Sequence, residues 1–290
     1  MRVNRNHRGC GGPRLALKNH EKGTLMRAAL FGLSAFLLAA TSTAALAITD
    51  EIQVYTGDIE PLGVFGVTWH NNYAIDGTKN PEYPGALVDN HGYSSVLEWA
   101  YGVAPWFEAG LYLPLFSNTT NQGWTYNGFK LRALFVQPDN ENKEFYYGMN
   151  FEFSWNQRQW EHQTNSGEIR PILGWHIDDR WSFTFNPIVD NDYKGGIAGL
   201  EFVPATRLDY KLNDKWTVAA EEYDDFGQLR RFVPAKEQFH QLWATFDYTG
   251  MPVSIETGIG FGLTPGTDNL AVKLMFMSDL SGENSLFGKR

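Results

Sequence analysis

The chain has 290 residues, 24 Lys and Arg against 33 Asp and Glu, and a mean hydropathy of −0.35. That polarity excludes a bundle of transmembrane helices, because each helix needs an apolar run of about 20 residues and only one long run exists, Ala28 to Ala47. The acidic balance argues against a nucleic-acid partner, whose phosphates require basic surface. The single cysteine, Cys10, leaves no disulfide frame and no cysteine metal site.

Residues 1–25 read as a start-codon extension, since Met26-Arg27 is itself an ordinary beginning. Residues 26–47 read as a secretory signal peptide: Arg27, the apolar run, then the small-residue exit Ala45-Leu46-Ala47. The alternative is a retained membrane anchor. Cleavage after Ala47 removes seven of the 24 basic and one of the 33 acidic residues. It leaves 17 against 32, a formal charge of −15. Residues 48–60 are then expected to be a periplasmic N-terminal segment, 61–280 the folded domain and 281–290 a C-terminal tail.

From residue 61 onward the apolar period is two, the period of a strand with unlike faces. In Phe145–Asn156, Phe145, Tyr147, Met149, Phe151, Phe153 and Trp155 fall on one face, with Tyr146, Gly148, Asn150, Glu152, Ser154 and Asn156 on the other. Trp181–Val189 and Val253–Phe261 repeat the pattern. Strands are expected near 61–75, 91–104, 106–117, 126–137, 144–156, 168–178, 181–190, 197–212, 216–226, 237–249, 252–263 and 269–278. Hairpin turns with Asp, Asn, Gly or Pro at their tips, such as His176-Ile-Asp-Asp-Arg-Trp181 and Lys211-Leu-Asn-Asp-Lys-Trp216, alternate with longer polar stretches at 76–90, 118–125, 157–167, 190–196, 227–236 and 264–268.

Two all-β architectures fit twelve such strands: a soluble sandwich or lipocalin-like barrel, and a closed antiparallel transmembrane β-barrel with short periplasmic turns and longer outer loops. Strand length, strand-end aromatics (Trp69, Trp106, Trp155, Trp181, Trp216, Tyr248) and the charge and glycine content of the polar faces favour the second. The expected location is therefore the outer membrane of a Gram-negative cell. The expected partners are outer-membrane lipids, a small-molecule solute and, during biogenesis, the barrel-assembly machinery. Phe145, Phe151, Phe183, Phe185, Ile255, Leu274 and Phe276 are expected to face lipid, where an Arg or Lys near mid-membrane costs about 2–4 kcal/mol.

Alternation places the charges on the lumen side. From the first half of the barrel these are Glu98, Glu108, Lys130, Arg132, Glu152, Arg170 and His176. From the second half they are Glu201, Arg207, Asp247, Glu256 and Lys273, together with Asp209 and Glu221. Two readings stay open. The charges form a structural network that fills the lumen, with pairs such as Arg132 with Glu152 or Glu108, or they line a solute path. Twelve strands permit a narrow passage without requiring one. The aromatic stretches His91-Gly-Tyr93 and Asn121-Gln-Gly-Trp124-Thr-Tyr126 read as rim anchors or as contacts for an aromatic solute.

No catalytic constellation stands out. His91 and Ser94 differ by three positions, so on a strand they point to opposite faces, and no G-x-S-x-G elbow is present. Asp178-Asp179 and Asp224-Asp225 read as turn or loop acids. Neither a metal nor a cofactor site is expected, and no ATP-binding motif is present, so transport would be passive. A lipid-modifying enzyme is the least favoured alternative.

The segments Ile48-Thr-Asp-Glu-Ile-Gln-Val-Tyr-Thr-Gly-Asp58, Gly66-Val-Thr-Trp-His-Asn-Asn72 and Leu97-Glu-Trp-Ala-Tyr-Gly-Val-Ala-Pro-Trp-Phe-Glu-Ala-Gly-Leu-Tyr-Leu-Pro114 resemble the outer-membrane β-barrel proteins of the phenol-degradation (MetA-type) transporter-like family. The resemblance covers most of residues 48–280. It implies a barrel that takes up hydrophobic or aromatic compounds, with no ligand fixed. The chain departs from the common barrel ending by continuing past Phe276 to Ser281–Arg290.

Overall fold

The computed structural model describes residues 49–191, 196–282 and 285. The expected start extension and signal peptide lie outside the described residues. Twelve strands follow in order. They are β1 (Phe65–Asp76), β2 (Tyr93–Ala104), β3 (Phe107–Thr119), β4 (Gly123–Val136), β5 (Phe145–Asn156) and β6 (Asn165–His176). Then come β7 (Trp181–Asn186 and Val189–Asn191), β8 (Glu201–Phe202 and Ala205–Asn213), β9 (Trp216–Asp225), β10 (Phe239–Tyr248), β11 (Ser254–Gly262) and β12 (Leu270–Asp279). Each strand pairs antiparallel with its neighbours in sequence. β1 pairs with β12 from Gly66↔Asp279 to Ala74↔Ala271, which closes the sheet. A closed sheet has no edge, so the ladders leave no row of backbone groups unpaired in hydrocarbon.

The alternation has the sense that the sequence predicts. On β5 Phe145, Tyr147, Phe153 and Trp155 are exposed, while Tyr146, Asn150, Glu152, Ser154 and Asn156 are buried. Phe151, Phe183, Phe185, Ile255 and Phe276 are half-buried because neighbouring outer side chains pack beside them on the same face. Inward glycines face inward aromatics across the ladder. Gly174 pairs with Tyr146 and Gly260 with Trp243, and a Cβ on either glycine would lie 1.9 Å and 2.2 Å from the ring atoms. Small opposite large is how a narrow barrel fills its interior without overpacking.

One end of the barrel carries turns 105–106, 177–180, 214–215 and 249–253, the 137–144 connection with its short 3-10 helix Asn140–Asn142, and both barrel termini. This is the periplasmic end. The other carries 77–92, 157–164, 226–238 and 263–269. The outer loop expected at 118–125 is shorter: β3 runs to Thr119 and β4 starts at Gly123, whose φ of 69° closes a tight hairpin. The polar residues there belong to strand ends, not to a loop. Asn127 donates to Ser117 at 2.6 Å across the two strands.

β7 and β8, expected to be continuous, are each broken. The breaks fall at Pro187 and Pro204, and Pro171 of β6 stands opposite the first. Proline has no N–H to give a ladder, so pairing stops at Leu173↔Phe185 and resumes at Ile169↔Val189. Trp69, expected at a strand end, lies within β1, beside Phe276 and donating to the Ser95 hydroxyl at 2.8 Å. That partner satisfies an indole N–H on the lipid face.

Candidate functional site: the lumen and its N-terminal plug

Residues 49–60 run down the inside of the barrel. The expectation of a periplasmic segment is therefore corrected. Asn72 donates to the carbonyls of Thr49 (3.1 Å) and Asp50 (3.0 Å), and Ser94 to Thr49 (2.6 Å), in the outer half of β1 and β2. Lys273 donates to the Ile52 carbonyl (3.0 Å) and Arg170 to that of Gln53 (3.1 Å). At Tyr55 the backbone is clamped from both sides: its N–H donates to the Asn186 side-chain oxygen (2.8 Å), and its carbonyl accepts from the Asn186 amide (3.0 Å). Near the periplasmic end Asn140 donates to Gly57, and the Glu60 N–H donates to Glu108 (2.5 Å). Ile52 packs on Trp243, Val54 on Ile188 and Ala205, and Tyr55 on Leu134 and Ile172. These apolar side chains are the reason the segment stays inside, since a free periplasmic linker would expose them to water. From outside, loop 77–92 dips into the barrel, with Leu87 packed on Val96, Tyr112, Leu115 and Trp160.

Twelve of the fourteen predicted lumen charges point inward along the plug, and the wall around it divides into three groups. On β1–β4, Arg132 binds Glu98 (2.8 Å) and Glu108, and Glu98 also meets His70 Nε2 (2.9 Å). The expected Arg132–Glu108 pair is present. Glu152, opposite Arg132 in register, instead accepts from Asn150 (3.0 Å) and Tyr55 (3.1 Å).

The second group touches the plug directly. Lys130 lies 2.8 Å from Asp50 and 3.7 Å from Glu152. Arg170 lies 2.6 Å from Glu168 and 3.7 Å from Glu51, with its guanidinium 4.2 Å from the Tyr55 ring centroid. The Tyr55 and Tyr112 hydroxyls meet at 2.5 Å. On β8–β12, Arg207 gathers Asp209 (2.6 Å), Glu221, Asp247 and Glu256 (3.3 Å), and Lys273 binds Glu221 and Glu256, each at 2.6 Å. Lys273 is 1% exposed, so at mid-height side chains and plug fill the space.

His176 and Glu201 sit apart from these groups. They are half-buried at the periplasmic and outer ends, His176 with its ring 5.1 Å from Tyr146. Sequence reasoning missed His70, Tyr112, Asn150, Asn186 and Glu168 on the wall, and Asp50, Glu51 and Tyr55 on the plug. Parity was the available signal for the wall residues. For the plug it was the apolar character of Ile52, Val54 and Tyr55.

Ser94 faces inward with its hydroxyl committed to Thr49, and His91 is exposed in the outer loop. Asp178 accepts from the N–H groups of Arg180 and Trp181, as a turn acid does. Asp224 and Asp225 end β9 instead of occupying a loop. Asp225 accepts from Gly227 (2.7 Å), and Asp224 meets His240 Nδ1 (2.5 Å) on the outward face, next to Glu222.

In the outer mouth, beyond the strands, Glu82 is an exposed residue whose carboxyl is pushed up to about 7 by desolvation among the loops, and the neighbouring Glu201, Asp225 and Glu161 add to the shift. Burial, with Asp190 nearby, likewise pushes Glu161 up to about 7. The mouth is an acidic vestibule over the plug.

No protein-family model matches the chain, and no curated protein matches it in sequence. Among solved structures, an outer-membrane channel from Pseudomonas putida F1 is similar over 79% of this chain and 100% of its own, at 12% identity and a TM-score of 0.54. The KdgM porin in complex with disordered oligogalacturonate is similar over 73% of this chain and 98% of its own, at 10% identity and a TM-score of 0.48. At such identities the likeness speaks to the fold. With its apolar belt, aromatic ends and closed ladder, the chain is a twelve-stranded β-barrel of the outer membrane.

Proposed function

We propose that the protein is a passive outer-membrane channel for small solutes, closed at rest by its own N-terminal segment. The observation that carries this reading is the pairing of the cations on the plug. Lys130, Arg170 and Lys273 each touch the plug, and each also holds a wall carboxylate: Glu152, Glu168 and Glu221 respectively. Withdrawing the segment strands no buried cation, so the large penalty for an unpaired charge is avoided. Asp50 and Glu51 leave with the segment and rehydrate. The space it vacates is bordered by Tyr112, Tyr223 and Trp243 as well as by ions. That mixture supports small solutes with hydrophobic or aromatic parts.

The test is conductance in planar bilayers of the native barrel, of a variant lacking residues 49–59, and of that variant with residues 80–89 also shortened. Folding of each is checked by heat-modifiable migration. We expect rare brief openings from the native barrel and sustained conductance from the deletions. Folded deletion barrels that stay silent would overturn the channel reading and leave a structural barrel with a permanently filled lumen.

A further inference from the structure

The outer loop 226–238 does not stand up into solvent. Its Phe232 ring folds back against Phe226 (5.3 Å between centroids) and Phe202 (6.3 Å). Phe202 on β8 and Phe226, the residue just past the end of β9, lie on the outward side by parity with the inward Val203 and Asp225. Loop residues also bond to the β8 end: Leu229 N–H to Leu200 at 2.8 Å, and Val233 N–H back to Phe226 at 3.0 Å. The loop thus turns its Phe232 ring to the outward side of the outer rim, beside Phe202 and Phe226.

Its free side carries Leu229 (43% exposed), Arg230, Arg231, Phe232 (49% exposed) and Lys236. No ion pair holds Arg230 or Arg231 among the described residues, and Lys236 lies 3.9 Å from the adjacent Glu237. By sequence, 226–238 holds three basic residues and one acid, and is the one outer loop with net positive charge. Residues 48–290 carry a formal charge of −15, so this basic cluster stands against the charge of the chain around it.

We infer that this loop binds the phosphorylated head of an outer-leaflet glycolipid, with the guanidinium groups of Arg230 and Arg231 on a phosphate and Phe202, Phe226 and Phe232 against the acyl chains beneath. Guanidinium pairs with phosphate bidentately and holds it at a membrane surface. Aromatic rings at the same height anchor the apolar portion. Glu222 and Asp224 are the acids on this outward face. Asp224 is engaged by His240, and both lie further down the strand than the arginines.

The experiment measures binding of purified full-length barrel, in neutral detergent, to lipid A by native mass spectrometry and by titration. The controls are dephosphorylated lipid A and inorganic phosphate. We expect a retained one-to-one lipid A complex, at least tenfold weaker binding of the dephosphorylated form, and no competition from equimolar inorganic phosphate. The double variant R230A/R231A is expected to lose at least tenfold and F232A several-fold, both with unchanged heat-modifiable migration. The inference is overturned if the double variant binds lipid A as the native barrel does. It is likewise overturned if removing the phosphates makes no difference, or if inorganic phosphate displaces the lipid. None of these readouts depends on whether the barrel conducts.

Discussion

The two sides of the lumen are built on different plans. On β8–β12 the charges answer one another: Arg207 meets four carboxylates, all carried by strands, and the group reaches the plug through one hydrogen bond, Lys273 to Ile52. On β4–β7 the polar groups are turned to the plug. Lys130 meets Asp50, Arg170 meets Glu51, Gln53 and the Tyr55 ring, and Asn186 takes both backbone groups of Tyr55. One side reads as scaffold and the other as latch. The contrast teaches that charge content alone does not separate a filled lumen from a gated one; what matters is whose partner each charge is.

The largest break in that comparison should come from Arg207. Replacing it with Ala leaves Asp209, Glu221 and Glu256 buried and Asp247 half-buried, with Lys273 the one Lys or Arg still bound to the group, through Glu221 and Glu256, among the described residues. Removing one partner of a buried pair costs about 3–5 kcal/mol. R207A should therefore unfold at markedly lower denaturant concentration, read by loss of heat-modifiable migration. A midpoint equal to native would mean the group is not scaffold.

The next effect is on the latch. Asn186 is uncharged, so N186A removes two hydrogen bonds to the plug without stranding an ion. At about 1 kcal/mol each, their loss should shift the proposed closed–open balance about thirtyfold, since 1.4 kcal/mol is a factor of ten. Single-channel recording should show open probability raised by that order, with the unfolding midpoint displaced far less than in R207A. An unfolding midpoint lowered as much as in R207A, without extra openings, would make the two sides equivalent.

How much of this was legible in the sequence follows from which interactions are local. Strand parity is local, and it placed Glu98, Arg132, Glu152, Arg170, Arg207 and Lys273 inside before any pairing was known. The partner choice within the lumen is not local, because Arg132 takes Glu98 and Glu108 rather than its ladder neighbour Glu152. The plug was the larger miss. Residues 49–60 have no period, and their partners lie as far off in sequence as Arg170, Asn186 and Lys273. Only the unexplained apolar side chains hinted at burial. The breaks in β7 and β8 are written in Pro187 and Pro204, but apolar alternation continues on either side of them and masks the interruption.

The smallest effect concerns the vestibule over the latch. Glu82 and Glu161 both sit near 7, well above the 4.5 of a free glutamate, because desolvation and the surrounding acids disfavour their charge. A carboxyl with a raised folded value binds more protons folded than unfolded. Stability from these groups is therefore fully present below pH 4.5 and is lost as pH rises from there through about 7. Electrically the sign is opposite: at pH 8 both are ionised, and the mouth attracts cations over roughly a Debye length of about 8 Å. In the barrel lacking residues 49–59, the reversal potential under a KCl gradient should shift toward cation selectivity by a few millivolts between pH 5 and pH 8. The E82Q/E161Q version should show a flatter profile. A shift of equal size in that double variant would place the titrating groups outside these two loops. Cation entry would then be governed elsewhere in the barrel, not by the loops that carry Glu82 and Glu161.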